Sequence, residues 1–429
     1  MPDTTTRMLA AIDSAIDGAP PQDRVGLSVG QVATRLRLGV PPAASGLEAL
    51  PQPAKLAALR HMASLGNPRT DLLASLTANA LADTAETDPT LAPLRLWNGD
   101  DPATVLAAIA PSGRLHALAQ SLRWGAAPLE ADLDRLIAAI PEGARATAVL
   151  VWLHWRLARP EPADLATLTA RVEAIDEPVV RLAALVDLAA RREAPPTLGP
   201  RWATTACAAH PAAAAFHAAG VADCQLAMVL RLTTPAEAVT LLARARDNLK
   251  NLPQSGDRSL LFEALLPASA WTALDAWREA ANTLASDPIL RRSPELFGQT
   301  AIRAAQSIEH LPDAEARDAG LGALLEVARS IAVLPLKLAF WAEAARWAAR
   351  LPGRSPASLL VAIDADLDSL FGERLGLPLL SSIAASYAVA DLQRALAAAE
   401  RIRRPAHRAL WLIAIADRLA LGEMALDTV

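Results

Sequence analysis

Both cysteines of the chain and two of its seven histidines fall within 18 residues, as Cys207, His210, His217 and Cys224. Two Cys and two His in so short a window form the donor set of a structural zinc site. The spacing argues against one. On a straight helix these positions span about 25 Å, beyond the reach of a single ion. A turn at Pro211 would let Cys207 and His210 face His217, with Cys224 about 10 Å further along, so at most three donors converge. Cysteine is also a common small core residue. Helix core is therefore the expected role, and no metal or cofactor is assigned.

Asp364, Asp366 and Asp368, with Glu373 close behind, have the composition of a calcium loop. Such a loop wants Gly at its sixth position and Glu at its twelfth, where Ser369 and Leu375 stand. Leu360, Ile363, Leu367 and Leu370 carry a helical period straight through the acids. A helix does not wrap a cation, so a polar helix face is expected. The run Arg401, Arg403, Arg404, His407 and Arg408 straddles Pro405 and is the strongest local positive patch. It has the charge to meet a phosphate or RNA. The one aromatic beside it is Trp411, which its spacing from Leu410, Ile413 and Ala414 places near the core. A solvated last helical turn, where guanidinium groups suit the helix dipole, is the expected reading.

The chain has no G-x-S-x-G, no G-x-x-x-x-G-K-[ST], no H-E-x-x-H and no strand-borne G-x-G-x-x-G. Asp100 and Asp101 lack the further acids of a magnesium–diphosphate site. No catalytic, cofactor-binding or metal-binding residue is assigned. Of the 16 aromatic residues ten are Trp. Trp152 and Trp155 share a helix face, and Trp341 and Trp347 flank another. In an Ala-rich interior such side chains fill gaps, whereas an exposed Trp would mark an interface.

The elements that must position any of these groups are helices. Ala supplies 98 of 429 residues, aromatic residues only 4%, and Ala is the strongest helix former. That composition excludes an all-β fold. Two cysteines exclude a disulfide-stapled secreted domain, and 52% hydrophobic content with a net charge of -5 excludes a disordered chain. The 38 Arg against 3 Lys reflect composition bias. With 46 acidic residues against 41 basic ones there is no global positive field to draw in nucleic acid.

One pattern recurs: an Ala-rich helix closing on Ile or Leu, a Pro-containing turn, an Arg, then a Leu/Ala-rich helix. The stretch from Ala131 is typical, with Leu133, Leu136, Ile137 and Ile140 as one stripe, a break at Pro141 and Gly143, and Val149, Leu150, Leu153 and Leu157 as the next. The recurring Arg stands at Arg69, Arg114, Arg145, Arg181, Arg258, Arg317, Arg354 and Arg408, with gaps of 45, 31, 36, 77, 59, 37 and 54. Several lie near the period of paired-helix repeats. Such an Arg either reaches the carbonyls that end the preceding helix, where a cation is favoured, or stays solvated.

The stretch DEPVVRLAALVDLAA, Asp176 to Ala190, resembles a HEAT-type unit, with an acidic turn, Val-Arg and then Ala-Ala. The wider pattern, over residues 54–421, resembles degenerate tetratricopeptide-like units of bacterial helical-repeat proteins. The Trp-Leu-Gly-Tyr signposts of a full tetratricopeptide repeat are absent, and Tyr387 is the only Tyr. The resemblance implies an α-solenoid that binds other macromolecules, and carries over no catalytic residue.

The expected fold is all-α, an α-solenoid of stacked antiparallel helical hairpins with about twenty helices. Residues 1–50 are expected to form an N-terminal cap or irregular lead-in, and 51–429 the array, with breaks near 193–201 and 286–295. The expected function is a non-catalytic protein–protein interaction scaffold or adaptor. One alternative is an all-α enzyme with a cavity site assembled from distant residues, marked by Asp, Glu or His buried together with shifted pKa values. The other is a nucleic-acid-binding array, marked by a continuous Arg stripe, which the net charge disfavours. Trp202 to Ala222 is uncharged for 21 residues, long enough to span a bilayer. It is mostly Ala, with His210 and His217 near its middle. Asp3, Asp13 and Asp17 interrupt any signal-peptide core. A cytoplasmic protein with a protein partner and no membrane contact is expected.

Overall fold

The structure is a computed structural model that describes residues 4–64, 70–82, 91–123, 133–158, 164–190, 197–210, 216–351, 355–372 and 377–421. Among them are 24 α-helices and no strand. Pro opens many of these helices at its first or second position, as at Pro178, Pro235, Pro294 and Pro405. Proline's fixed φ is preorganised there and its missing N–H costs nothing. Aspartates cap others: Asp313 accepts from the Ala316 N–H at 2.8 Å and Asp391 from the Arg394 N–H at 3.0 Å. The uncharged stretch from Trp202 is divided between helices Gly199–Ala209 and Phe216–Leu230. No described helix is long and apolar enough to cross a membrane.

The chain divides into two compact units, residues 1–156 with 376–429 and residues 157–375. In the second, helices Pro178–Ala189, Phe216–Leu230, Ser255–Thr272, Pro294–Ser307 and Leu334–Ala349 pack each on the next. The helices between them form another row, Pro235–Asn248 on Leu274–Ser286 and that on Ala314–Arg329. In the first unit, helix Pro405–Ala420 packs against Thr4–Asp17, Pro21–Arg37 and Leu377–Ala390.

Among the described residues six hairpin junctions share one construction. The last turn of the first helix tightens, so that a buried apolar residue donates its N–H to the carbonyl three residues back: Ala19, Ile109, Ile140, Ile175, Leu252 and Leu311. That residue's own carbonyl has left the helix and would be an orphaned acceptor. An Arg five or six residues on supplies the donor through Nε. The pairs are Arg24 to Ala19 at 2.8 Å, Arg114 to Ile109 at 3.2 Å and Arg145 to Ile140 at 3.2 Å. The other three are Arg181 to Ile175 at 2.7 Å, Arg258 to Leu252 at 2.7 Å and Arg317 to Leu311 at 3.1 Å. A cation at a helix C-terminus also opposes that helix's dipole favourably. Arg24 was not among the recurring arginines read from sequence. Arg69 and Arg354, which were, lie outside the described residues. Arg408 lacks the clasp, its buried Nε making no hydrogen bond.

The buried face of helix Arg145–Ala158 runs through Ala148, Trp152, Leu153 and Trp155, with Val149, Leu150 and Leu157 only half-buried. The expected stripe is therefore rotated, because the two Trp side chains command the face. Seven Trp are buried, Trp271 and Trp341 are half-exposed, and Trp124 lies outside the described residues. Trp202 donates to Thr169 Oγ1 at 2.9 Å and Trp277 to Ser307 Oγ at 2.8 Å, so the indole N–H of each of these two is paired as its bulk is buried.

Helices approach closely at some of the glycines. A Cβ on Gly298 would stand 2.7 Å from Leu336 Cδ1 and 2.8 Å from its Cβ, whereas one on Gly322 would meet nothing within 4 Å. Gly298→Ala is expected to destabilise by about 1–3 kcal/mol through overpacking. Gly322→Ala is expected to stabilise by about 0.5–1 kcal/mol, because Gly is a poor helix former. Urea midpoints of the two variants, read beside the wild type, check the pair; equal signs would contradict the packing described.

Candidate functional site

In the second unit, a ladder of stacked side chains crosses four successive helix ends. Arg231 follows helix Phe216–Leu230 and donates through Nη2 to the Ala189 carbonyl, at the end of the preceding stacked helix, at 2.6 Å. Its guanidinium lies 4.8 Å from the ring centroid of Trp271, near the end of Ser255–Thr272. Trp271 stacks in turn on His310, with centroids 5.1 Å apart and planes 17° from parallel. His310 closes the 3₁₀ turn after Pro294–Ser307. All three side chains are half-buried. Cation–π and stacking contacts of this kind contribute about 0.5–2 kcal/mol each. The positions are spaced 40 and 39 residues apart, a hairpin-repeat period. Sequence reasoning missed them because Arg, Trp and His are different residues at one repeat position. On helix Leu334–Ala349, Trp347 lies under Arg346 and Arg350, at 4.9 and 5.4 Å, and donates to the buried Glu343 at 3.1 Å.

The Cys and His window takes a different form from a metal centre. Cys207 is exposed on helix Gly199–Ala209 and Cys224 is buried in Phe216–Leu230. His210 Nε2 instead pairs with Asp223 Oδ1 at 2.9 Å, and Arg244 Nε donates to Asp223 Oδ2 at 2.7 Å. The turn at Pro211 and the His217 side chain lie outside the described residues. Burial raises both thiol pKa values, with a further push from Glu237 on Cys207 and from Asp223 on Cys224. Neither thiol is activated as a nucleophile. No group of three His, Cys, Asp or Glu able to hold a metal occurs among the described residues.

Asp364, Asp366 and Asp368 lie along the continuous helix Ala357–Gly372 with the buried Leu360, Ile363, Leu367 and Leu370; Asp364 and Asp366 are half-buried beside that stripe and Asp368 is exposed. Glu373 and Leu375 fall outside the described residues. The basic run is split by its turn: Arg401, Arg403 and Arg404 are exposed, while His407 and Arg408 are half-buried. Burial and then the Arg404 charge lower the His407 pKa, against a weaker pull from Asp23. Arg408 lines a cavity of about 360 Å³ with Arg7, Glu400 and Gln393, so this stretch does not present a single positive face.

The first unit contains a buried polar centre of its own. Asp417, on helix Pro405–Ala420, is 8% exposed. Its Oδ1 accepts from Thr34 Oγ1 at 2.7 Å and Arg37 Nη1 at 2.5 Å, and Oδ2 stands 3.7 Å from His61 Nε2. Arg37, whose side chain is fully buried, also donates to the His61 carbonyl. Burial pushes the Asp417 pKa up. The neighbouring His61 imidazole, the Arg37 charge and the Thr34 hydroxyl together outweigh it, leaving the carboxyl below its usual range. Asp417 and His61 border a cavity of about 620 Å³ whose walls are mainly apolar. Sequence reasoning missed this centre, since 380 residues separate Arg37 from Asp417.

The chain matches no protein-family model, and no curated protein or solved structure matches it significantly.

Proposed function

We propose that the chain is a non-catalytic interaction scaffold, an α-solenoid of stacked antiparallel hairpins that offers an edge to a protein partner. The observation that carries this reading is the Arg231–Trp271–His310 ladder. It sets half-exposed groups of the types that dominate protein interfaces, Trp and Arg, on successive helix ends at a repeat spacing. The next-but-one packing of the second unit supports the stacked arrangement. Hairpins held by arginine clasps would keep such an edge rigid, lowering the ordering cost of binding.

The nucleic-acid alternative loses support, because Arg24, Arg114, Arg145, Arg181, Arg258 and Arg317 all direct guanidinium donors to internal carbonyls. The enzyme alternative draws on one place, the Asp417–His61 cavity, where a buried acid with a shifted pKa meets a histidine.

The test is affinity capture from the native host at low and moderate salt, with wild type, Trp271→Ala and Leu325→Ser compared. One protein recovered stoichiometrically at both salts by wild type and Leu325→Ser, and reduced about tenfold or more by Trp271→Ala, is the expected result. Urea midpoints of the variants show that each is folded. Recovery of nucleic acid at low salt alone, or equal capture by all three chains, would overturn the reading.

A further inference from the structure

We propose that the first unit binds an apolar amino acid, a small zwitterion with an apolar side group, in the groove between helices Thr4–Asp17 and Leu392–Arg401. The proposal holds whether or not the chain is a scaffold. Helix Pro405–Ala420 packs against both of these helices and supplies the floor of the groove. One wall is Thr4, Arg7, Met8 and Ala11, and the other is Gln393, Leu396, Ala397 and Glu400. Each set follows the i, i+3, i+4, i+7 spacing of one helix face, so two faces border the same space. Its volume, about 360 Å³, lies at the lower end of the range of small-molecule sites.

Arg408 sets this groove apart from the other hairpin junctions. Ile402 is buried and donates its N–H to the Ala399 carbonyl at 3.3 Å, as the closing residues of the six clasped junctions do. Arg408 stands six residues on, where the clasping arginine belongs. The clasp does not form: Arg408 Nε is buried without a hydrogen bond, and the residue borders the groove beside Leu412. Among the described residues, the side chains of Arg7, Arg408 and Glu400 make no hydrogen bond or ion pair. Two guanidinium groups and one carboxylate thus border one small space without pairing across it.

A zwitterion is the ligand class that answers every charge in this lining. The two arginines match a carboxylate, which guanidinium groups bind by paired N–H donors. Glu400 matches an ammonium, and Met8, Leu396 and Leu412 offer apolar surface to a side group. A ligand with a carboxylate alone would leave Glu400 facing like charge. One with an ammonium alone would meet two cations.

Calorimetric titration of the full chain at neutral pH with leucine, isocaproate and isoamylamine tests the proposal. The three probes share one side group and carry both charges, the carboxylate alone and the ammonium alone. Saturable one-to-one binding of leucine, about tenfold or more tighter than either of the others, is the expected result. Glu400→Gln should weaken leucine about tenfold and leave isocaproate unchanged or tighter, because it removes a like charge. Arg7→Gln should weaken leucine and isocaproate alike, by about tenfold. Both residues are exposed, so the two variants should keep the wild-type melting temperature, which shows that each is folded. Isocaproate or isoamylamine binding as tightly as leucine, unchanged leucine affinity in either variant, or no saturable binding of leucine would overturn the proposal.

Discussion

Replacing Arg258 by Met is expected to cost the second unit about 3–5 kcal/mol, because it strands a buried carboxylate. Arg258 and Asp287 have side chains only 9% and 3% exposed. Arg258 Nε holds the Leu252 carbonyl at 2.7 Å and Nη1 binds Asp287 Oδ2. Asp287 Oδ1 accepts from the N–H groups of Ile289 and Leu290, at 3.0 and 2.8 Å, capping the short 3₁₀ turn Leu290–Arg292. One guanidinium thus ties two junctions together. The same clasp without a buried acid gives the control: Arg145 is exposed and bonds only to the Ile140 and Ala138 carbonyls, so Arg145→Met should cost about 1 kcal/mol. The double variant Arg258→Met with Asp287→Asn removes both charges and keeps the Oδ1 cap. It should be more stable than Arg258→Met alone, the signature of an uncompensated charge in the single variant. Urea unfolding of the three variants decides it; a double variant that is the less stable would show that packing, not charge, dominates the cost.

Much of this architecture was legible in the sequence where its cause is local. Ile109 and Arg114, or Leu311 and Arg317, lie five or six residues apart, so a closing aliphatic, a turn and an Arg can be read as one unit. The acids of 364–368 were placed on a helix face because Leu360, Ile363 and Leu367 continue the period through them. Where side chains compete for one face the reading slipped: Trp152 and Trp155 turned helix Arg145–Ala158 away from Val149 and Leu150. Long-range pairing left no trace at all. Thr34, Arg37 and His61 say nothing individually about Asp417, because no periodicity links positions brought together only by tertiary packing. The ladder lies between these cases. Its spacing was present, but it is visible only once a cation, an indole and an imidazole are recognised as equivalent occupants of one place in the repeat.

Arg37→Met is expected to be the most damaging substitution in the first unit, at about 3–5 kcal/mol, and to act on the segment where distant parts of the chain meet. Arg37 sits at the end of helix Pro21–Arg37, donates to a carbonyl on helix Gln52–Ser64 and neutralises Asp417 on Pro405–Ala420. Without it Asp417 keeps only the Thr34 hydroxyl and His61, and its buried charge loses the guanidinium that neutralises it. The same centre sets an acid limit. The folded Asp417 has its pKa lowered from 3.8, so the unfolded chain binds the proton more readily and stability rises with pH across that interval. The contribution is fully present above the unfolded pKa and is lost as pH falls through the folded value. Wild-type urea midpoints should accordingly hold from pH 7 to about 5 and drop below about 4. Asp417→Asn, which has no proton to take up, should be less stable at pH 7 and show a flatter decline. Parallel acid profiles for the two chains would remove Asp417 as the cause, whereas convergence at low pH would locate the acid sensitivity of this unit in one carboxylate held by one buried arginine.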